Sequence, residues 1–138
     1  MVGSRTEIQP ELWARDPRAA VAFYERAFGA KVEHLVEGPG EDDLIAAMAA
    51  GEARFWVSSA AEEMGRIAPS AAGAATARML LVVEDPHVVL ERALEAGAAP
   101  LSPVTDEHGW RLARLRDPAG HEWEIGHPLG QWPPLPGG

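Results

Sequence analysis

The sequence states one local pattern twice. Residues Leu12–Gly29 read LWARDPRAAVAFYERAFG, and Leu81–Gly97 read LVVEDPHVVLERALEAG. Each copy is an apolar strand, an Asp-Pro step and a helical stretch closed by Gly, with Asp85 standing where Asp16 stands in the first. The grammar has a physical basis. Asp accepts hydrogen bonds from the unpaired amides of a first turn, Pro suits the first helical position, and Gly takes the left-handed conformation that ends a helix. Ala20, Phe23 and Ala27, with Tyr24 and Phe28, fall at helical spacing in the first copy. Val89, Leu90, Ala93 and Leu94 form the buried stripe predicted for the second. Strands are predicted at Ile8–Ala14 and Ala77–Val83 ahead of the helices. Val32–Glu37, Leu44–Met48 and Arg54–Ser58 follow the first helix, and Pro100–Val104, Arg111–Arg116 and Glu122–Gly126 the second. The chain is thus expected to be α+β, two βαβββ repeats forming curved mixed sheets with a cavity between them. A cavity between halves is where a small ligand binds.

The whole of 1–138 reads as a single domain: repeat one over about 8–59, a linker over about 60–76, repeat two over about 77–128 and a tail over 129–138. That length buries a core without staples. There is no cysteine, which removes disulfide and thiolate chemistry. No apolar run is long enough to span a membrane, and the first residues lack a hydrophobic signal segment, so a cytoplasmic location is expected. A net charge of -9 argues against nucleic acid as a partner. It favours cationic ligands or serves solubility alone. The Ala/Gly/Ser-rich Ala60–Thr76 reads as a loop with one short helical turn at Ala61–Met64. For the Pro-rich tail two readings stand: mobile, or anchored through Trp132 to the domain or to a second subunit.

Two stretches carry a family resemblance. RDPRAAVAFYERAFGAKV, with its capping Asp16, Phe23-Tyr24 and Phe28-Gly29, and RLARLRDPAGHEWEIGHP, with its DP-x-G-H-x-W-E ending, resemble the vicinal oxygen chelate superfamily. That group includes glyoxalase I, bleomycin-resistance proteins and extradiol dioxygenases. The likeness runs from about Ile8 to Pro128, and the DPAGHEWEI ending resembles the PhnB-like and bleomycin-resistance-like branches. It implies the two-repeat fold and leaves the chemistry open, because the fold hosts lyases, isomerases, dioxygenases, thiol transferases and drug binders.

Catalytic members hold a divalent metal on the first and last strand of each half, and the resemblance maps those four positions to Gln9, Trp56, Arg78 and Glu124. Glu124 is a good oxygen donor and Gln9 a weak one, but Trp56 has no available lone pair and Arg78 is a permanent cation. Three or more protein ligands are normally wanted. The expectation is no metal and no other cofactor, with Glu124 and Arg78 paired across the vacated position. A residual route to a hard cation runs through Glu122, Glu124, Glu11 and Glu52. His121, Trp123, Ile125 and His127 share the other face of their strand and point away from Glu124. His34, His87 and His108 read as surface or turn residues.

The same alternation proposes a lining. Leu12, Ala14, Phe55 and Val57 face the core, which turns Gln9, Glu11, Trp13, Glu52, Arg54 and Trp56 to the cavity. Arg78, Leu80, Val82, Glu122 and Glu124 come from the second half. Trp110 follows a Gly in a turn and either covers the cavity mouth or packs locally; Trp123 reads as structural. Arg111, Arg114 and Arg116 read as a solvated row. The substrate-binding set is therefore Gln9, Trp13, Arg54, Trp56, Arg78, Trp110, Glu122 and Glu124. Indoles beside charged groups suit an aromatic or polar ligand.

The leading expectation is a metal-independent protein that binds or sequesters an aromatic or polar natural product. The alternative is a divalent-metal-dependent lyase, isomerase or dioxygenase of the same superfamily, with Glu124 as the catalytic ligand and base. A metal-free version would use Glu124 or Glu122 as acid or base. A homodimer is expected from an exposed sheet edge. Whether the two units meet within a chain or across that dimer is open.

Overall fold

The computed structural model describes residues 6–40 and 42–136. Among the described residues, eight strands and two helices follow the doubled pattern. Strand β1 (Glu11–Ala14), helix α1 (Pro17–Phe28) and strands β2 (Lys31–Glu37), β3 (Leu44–Ala50) and β4 (Ala53–Ser59) make the first module. The linker forms a 3-10 turn at Glu62–Met64 and a one-turn helix α2 (Pro69–Ala72). The second module is β5 (Arg78–Val82), α3 (Pro86–Glu95), β6 (Ala99–Glu107), β7 (Trp110–Arg116) and β8 (Glu122–Pro128). The sheets run β1-β4-β3-β2 and β5-β8-β7-β6. In each, the strand before the helix lies parallel to the last strand, and the remaining pairs are antiparallel.

Both helices start as expected. The Asp16 carboxylate accepts the Ala19 amide at 3.1 Å and that of Asp85 accepts the His87 amide at 3.0 Å. Gly29 closes α1 at φ 65°. The helices differ in what they bury. Helix α1 puts Ala20, Phe23, Tyr24 and Ala27 into the core, whereas α3 buries only Pro86 and Ala93, with Val89 and Leu90 at its margin. Leu94, expected on that stripe, turns to solvent. Strand β1 starts at Glu11 rather than Ile8; Pro10 has no amide to donate and contributes only its carbonyl, which accepts from Trp56 at 2.8 Å.

One core joins the modules. Leu12, Met48, Phe55 and Val57 of the first sheet belong to the same buried cluster as Leu115, Trp123 and Ile125 of the second. Trp123 packs against Phe28 at 4.8 Å, Tyr24 at 5.6 Å and Phe55 at 6.0 Å between ring centroids. Helices α1 and α3 touch each other and their own sheets. Each sheet therefore turns its helix-bearing side inward and its other side outward.

A buried carboxylate crosses the seam. Asp117, in the turn between β7 and β8, accepts the Tyr24 hydroxyl and, at 2.8 Å on the same oxygen, the Trp123 indole N–H. Its second oxygen accepts the amides of Ala119 and His121 at 2.9 and 3.0 Å. Four donors compensate the desolvation of a charge that is 4% exposed. Burial first, and the Asp117 charge second, push the Tyr24 hydroxyl well above the ordinary 10.0. Among the described residues, no helix is long and apolar enough to cross a membrane.

Candidate functional site

The residues singled out by alternation stand on the outward sides of the two sheets, as a group on each. On the first sheet β1 lies in register with β4, placing Glu11 beside Trp56 and Trp13 beside Ser58. The Trp56 indole N–H donates to Gln9 Oε1 at 2.8 Å. Glu11 accepts the Trp13 indole N–H at 3.1 Å and the Ser58 hydroxyl at 2.8 Å on one oxygen. Arg54, at the near end of β4, donates to Glu33 at 2.9 Å. Glu52 sits apart, on the β3–β4 turn.

On the second sheet, alternate residues of β5, β8 and β7 form cross-strand rows. Arg78, Glu122 and Arg116 make one; Leu80, Glu124 and Arg114 make the next. Glu124 is the centre of the charged network. Its side chain is 12% exposed, and one oxygen receives Arg114 Nε at 2.9 Å and Arg78 Nη2 at 3.4 Å. Arg114 also reaches Glu107 at 3.5 Å, and Arg116 holds Glu122 at 3.3 Å. The Glu124 hydrogen bond, ahead of its charge and that of Glu107, raises the Arg114 guanidinium above its ordinary value. Charge gives way to apolar surface further along, where Val82 flanks Gly126 and Leu112. A side chain at Gly126 would collide with Leu112, Leu80 and Trp110, so glycine keeps that floor low.

Arg78 and Glu124 do pair, but Arg114 is the closer partner. Arg114 and Arg116 hold carboxylates of the candidate face, and Arg111 turns instead to Asp106 at 2.9 Å. The three arginines are not one solvated row. Cross-strand register is the signal that would have found Arg114, since it stands directly opposite Glu124. Trp110 packs edge-on against Trp132 at 5.2 Å between centroids, so the tail folds back on the end of this face. His121 Nε2–H donates to the Trp13 carbonyl and His127 Nδ1–H to the Val83 carbonyl, each at 2.9 Å, on the inward side.

The eight candidate residues thus fall into two sets. Trp13, Arg54 and Trp56 share the first sheet, with Gln9 tied to Trp56 just ahead of β1; Arg78, Trp110, Glu122 and Glu124 share the second. Among the described residues no three His, Cys, Asp or Glu side chains converge on a point that could hold a metal. Glu11 and Glu122 line one small groove between the modules, but Glu52 and Glu124 do not join them there.

Two βαβββ modules with this strand order define the fold of the glyoxalase, bleomycin-resistance and dioxygenase proteins, the vicinal oxygen chelate superfamily. Residues 9–126 match the glyoxalase-like domain, and the chain belongs to that family. An uncharacterized protein of Mycobacterium bovis is 29% identical over 126 residues, covering 88% of this chain and 83% of its own. The crystal structure of TioX from Micromonospora sp. ML1 superposes with a TM-score of 0.65 at 26% identity, over 94% of this chain and 100% of that one. The fosfomycin resistance protein FosX from Mesorhizobium loti shares the fold at a TM-score of 0.64 and 15% identity, over 96% and 95% of the two chains.

Proposed function

We propose that this protein binds an aromatic or polar small molecule, and that it does so without a divalent metal. The observation that carries this reading is the fate of the four positions which hold metal in catalytic relatives. Trp56 spends its N–H on Gln9, and Arg78 spends its charge on Glu124. A metal there would need Gln9 Oε1 freed from an indole donor, would gain nothing from Trp56 and would meet a guanidinium cation. The donor set does not fit a divalent ion. It fits a ligand that stacks on indole and takes hydrogen bonds from fixed charged groups.

In this reading the working cavity is completed by a second copy of the chain. The first sheet of one copy faces the second sheet of the other, which sets Gln9, Trp13 and Trp56 opposite Arg78, Glu122 and Glu124. The apolar outward residues Val36, Ile45, Leu80 and Val82, each 44–51% exposed, support a covered face. The cytoplasm is the proposed compartment.

The test has two arms. Protein purified without affinity-tag metal is exposed to Mn²⁺, Ni²⁺, Zn²⁺, Fe²⁺ and Mg²⁺, desalted and assayed by mass spectrometry for bound ion. The same protein is screened by tryptophan fluorescence and melting temperature against aromatic compounds bearing amine, carboxylate or phosphonate groups. The expected result is no stoichiometric ion, together with a saturable fluorescence change that Trp56→Ala removes. One tightly held ion per chain would move the protein to the metal-dependent enzymes, with Glu124 as the first residue to replace. A silent compound panel would sink the binding reading.

A further inference from the structure

A groove of about 800 Å³ runs between the modules and meets the outward faces only at Arg54 and Leu80. Its floor is aromatic: Phe28, Phe55 and Trp123 line it, with Trp123 within 4.8 and 6.0 Å of the other two rings. Its mouth is charged. Arg54 stands there, but its guanidinium is already committed to Glu33 at 2.9 Å. Glu52 stands there too, on the β3–β4 turn, and is in no ion pair among the described residues. The volume lies within the range of about 300–1,000 Å³ typical of small-ligand sites.

We propose that this groove is a second ligand site, built for a compact aromatic ammonium or quaternary ammonium cation. The organic body lies on the rings, and the positive charge sits at the Glu52 carboxylate. Aromatic faces attract cations through their quadrupoles, and a carboxylate at the rim adds a charge term that a neutral ligand does not receive. Among the described residues that line the groove, Arg54 is the one cation, and Glu33 neutralises it, so an anion gains little there. The net charge of -9 further concentrates cations around the protein. Of the outward-face residues, Arg54 and Leu80 border this groove, and neither Trp56 nor Glu124 does. The proposal therefore stands or falls apart from the reading of those faces.

Three probes of similar size separate the possibilities: benzyltrimethylammonium, benzyl alcohol and benzylsulfonate, each titrated into ¹⁵N-labelled full-length protein and followed by NMR. The cation is expected to give saturable shifts at the Gly51, Glu52 and Phe55 amides and at the Trp123 indole N–H. Glu52→Gln, on an exposed turn where folding is not at risk, should weaken that binding about fivefold at low salt. Trp56→Ala, on the outward face, should leave it unchanged. Ala50→Phe, which fills the groove, should abolish it. Equal shifts from all three probes would overturn the charge selection. Shifts confined to the outward faces, or none from any probe, would overturn the site.

Discussion

At the scale of single residues, Tyr24 makes a buried polar link across the seam between the modules. Its hydroxyl is one of four donors to Asp117, and it is the one that comes from the other module. Tyr24→Phe leaves a buried carboxylate one donor short and should cost about 1–3 kcal/mol in urea denaturation at neutral pH. The pH dependence has a definite sign. The folded-state value of Tyr24 lies above the ordinary 10.0, so the folded protein favours the protonated phenol. That stabilisation is complete below about pH 10 and is lost as pH rises toward the folded-state value. Unfolding free energy measured from pH 8 to 11 should fall more steeply in the wild type than in Tyr24→Phe; parallel profiles would show that Tyr24 is not the linked group. On the second sheet, a double-mutant cycle should give about 1 kcal/mol of coupling between Arg114 and Glu124, and less between Arg78 and Glu124. The distances of 2.9 and 3.4 Å set that order. A reversed order would mean that Arg78 is the true counter-ion.

At the scale of elements, the doubled Asp-Pro grammar is written in the sequence because capping is local chemistry. Asp16→Ala and Asp85→Ala should each cost about 1 kcal/mol, and the two costs should add, since the helices cap independently. Strand identity and facing were equally legible: Leu12, Ala14, Phe55, Val57, Trp123 and Ile125 are all buried, as alternation requires. The linker was less so. Its Ala- and Ser-rich composition hides α2, which is held by a tertiary contact: the Ser70 amide donates to the Ala119 carbonyl at 3.1 Å. Gly120 makes that contact possible, having φ 94° and room for no Cβ, which would lie 2.5 Å from Ser70 N. Gly120→Ala should therefore cost more than Gly29→Ala. Gly29 also has positive φ, but open space surrounds it. For Gly29→Ala the left-handed penalty alone is about 1–2 kcal/mol. Equal losses in thermal melts would mean that α2 moves aside.

At the scale of the whole molecule, alternation along a strand says which residues share a face but not what that face meets. Burial by the other module decides that, and it rests on long-range contacts such as Tyr24 with Trp123 and Asp117. Trp56, Arg78 and Glu124 stand on β4, β5 and β8 and Gln9 just ahead of β1, and alternation does not reveal that one chain holds the four as two separate pairs. The proposed second copy reunites them, and this makes assembly and ligand binding a single question. Sedimentation equilibrium should give twice the chain mass of 14.8 kDa. Val82→Glu and Ile45→Glu place a charge on the outward side of the second and first sheets, respectively. Each should shift the protein to monomer while leaving the core and its aromatic packing intact, because neither side chain belongs to the core cluster. Both variants should then lose the ligand response that depends on Trp56, even though Trp56 itself is untouched. A protein that is monomeric at every concentration yet still binds through Trp56 would confine the site to the first sheet, with Glu124 and its arginines playing no part in recognition.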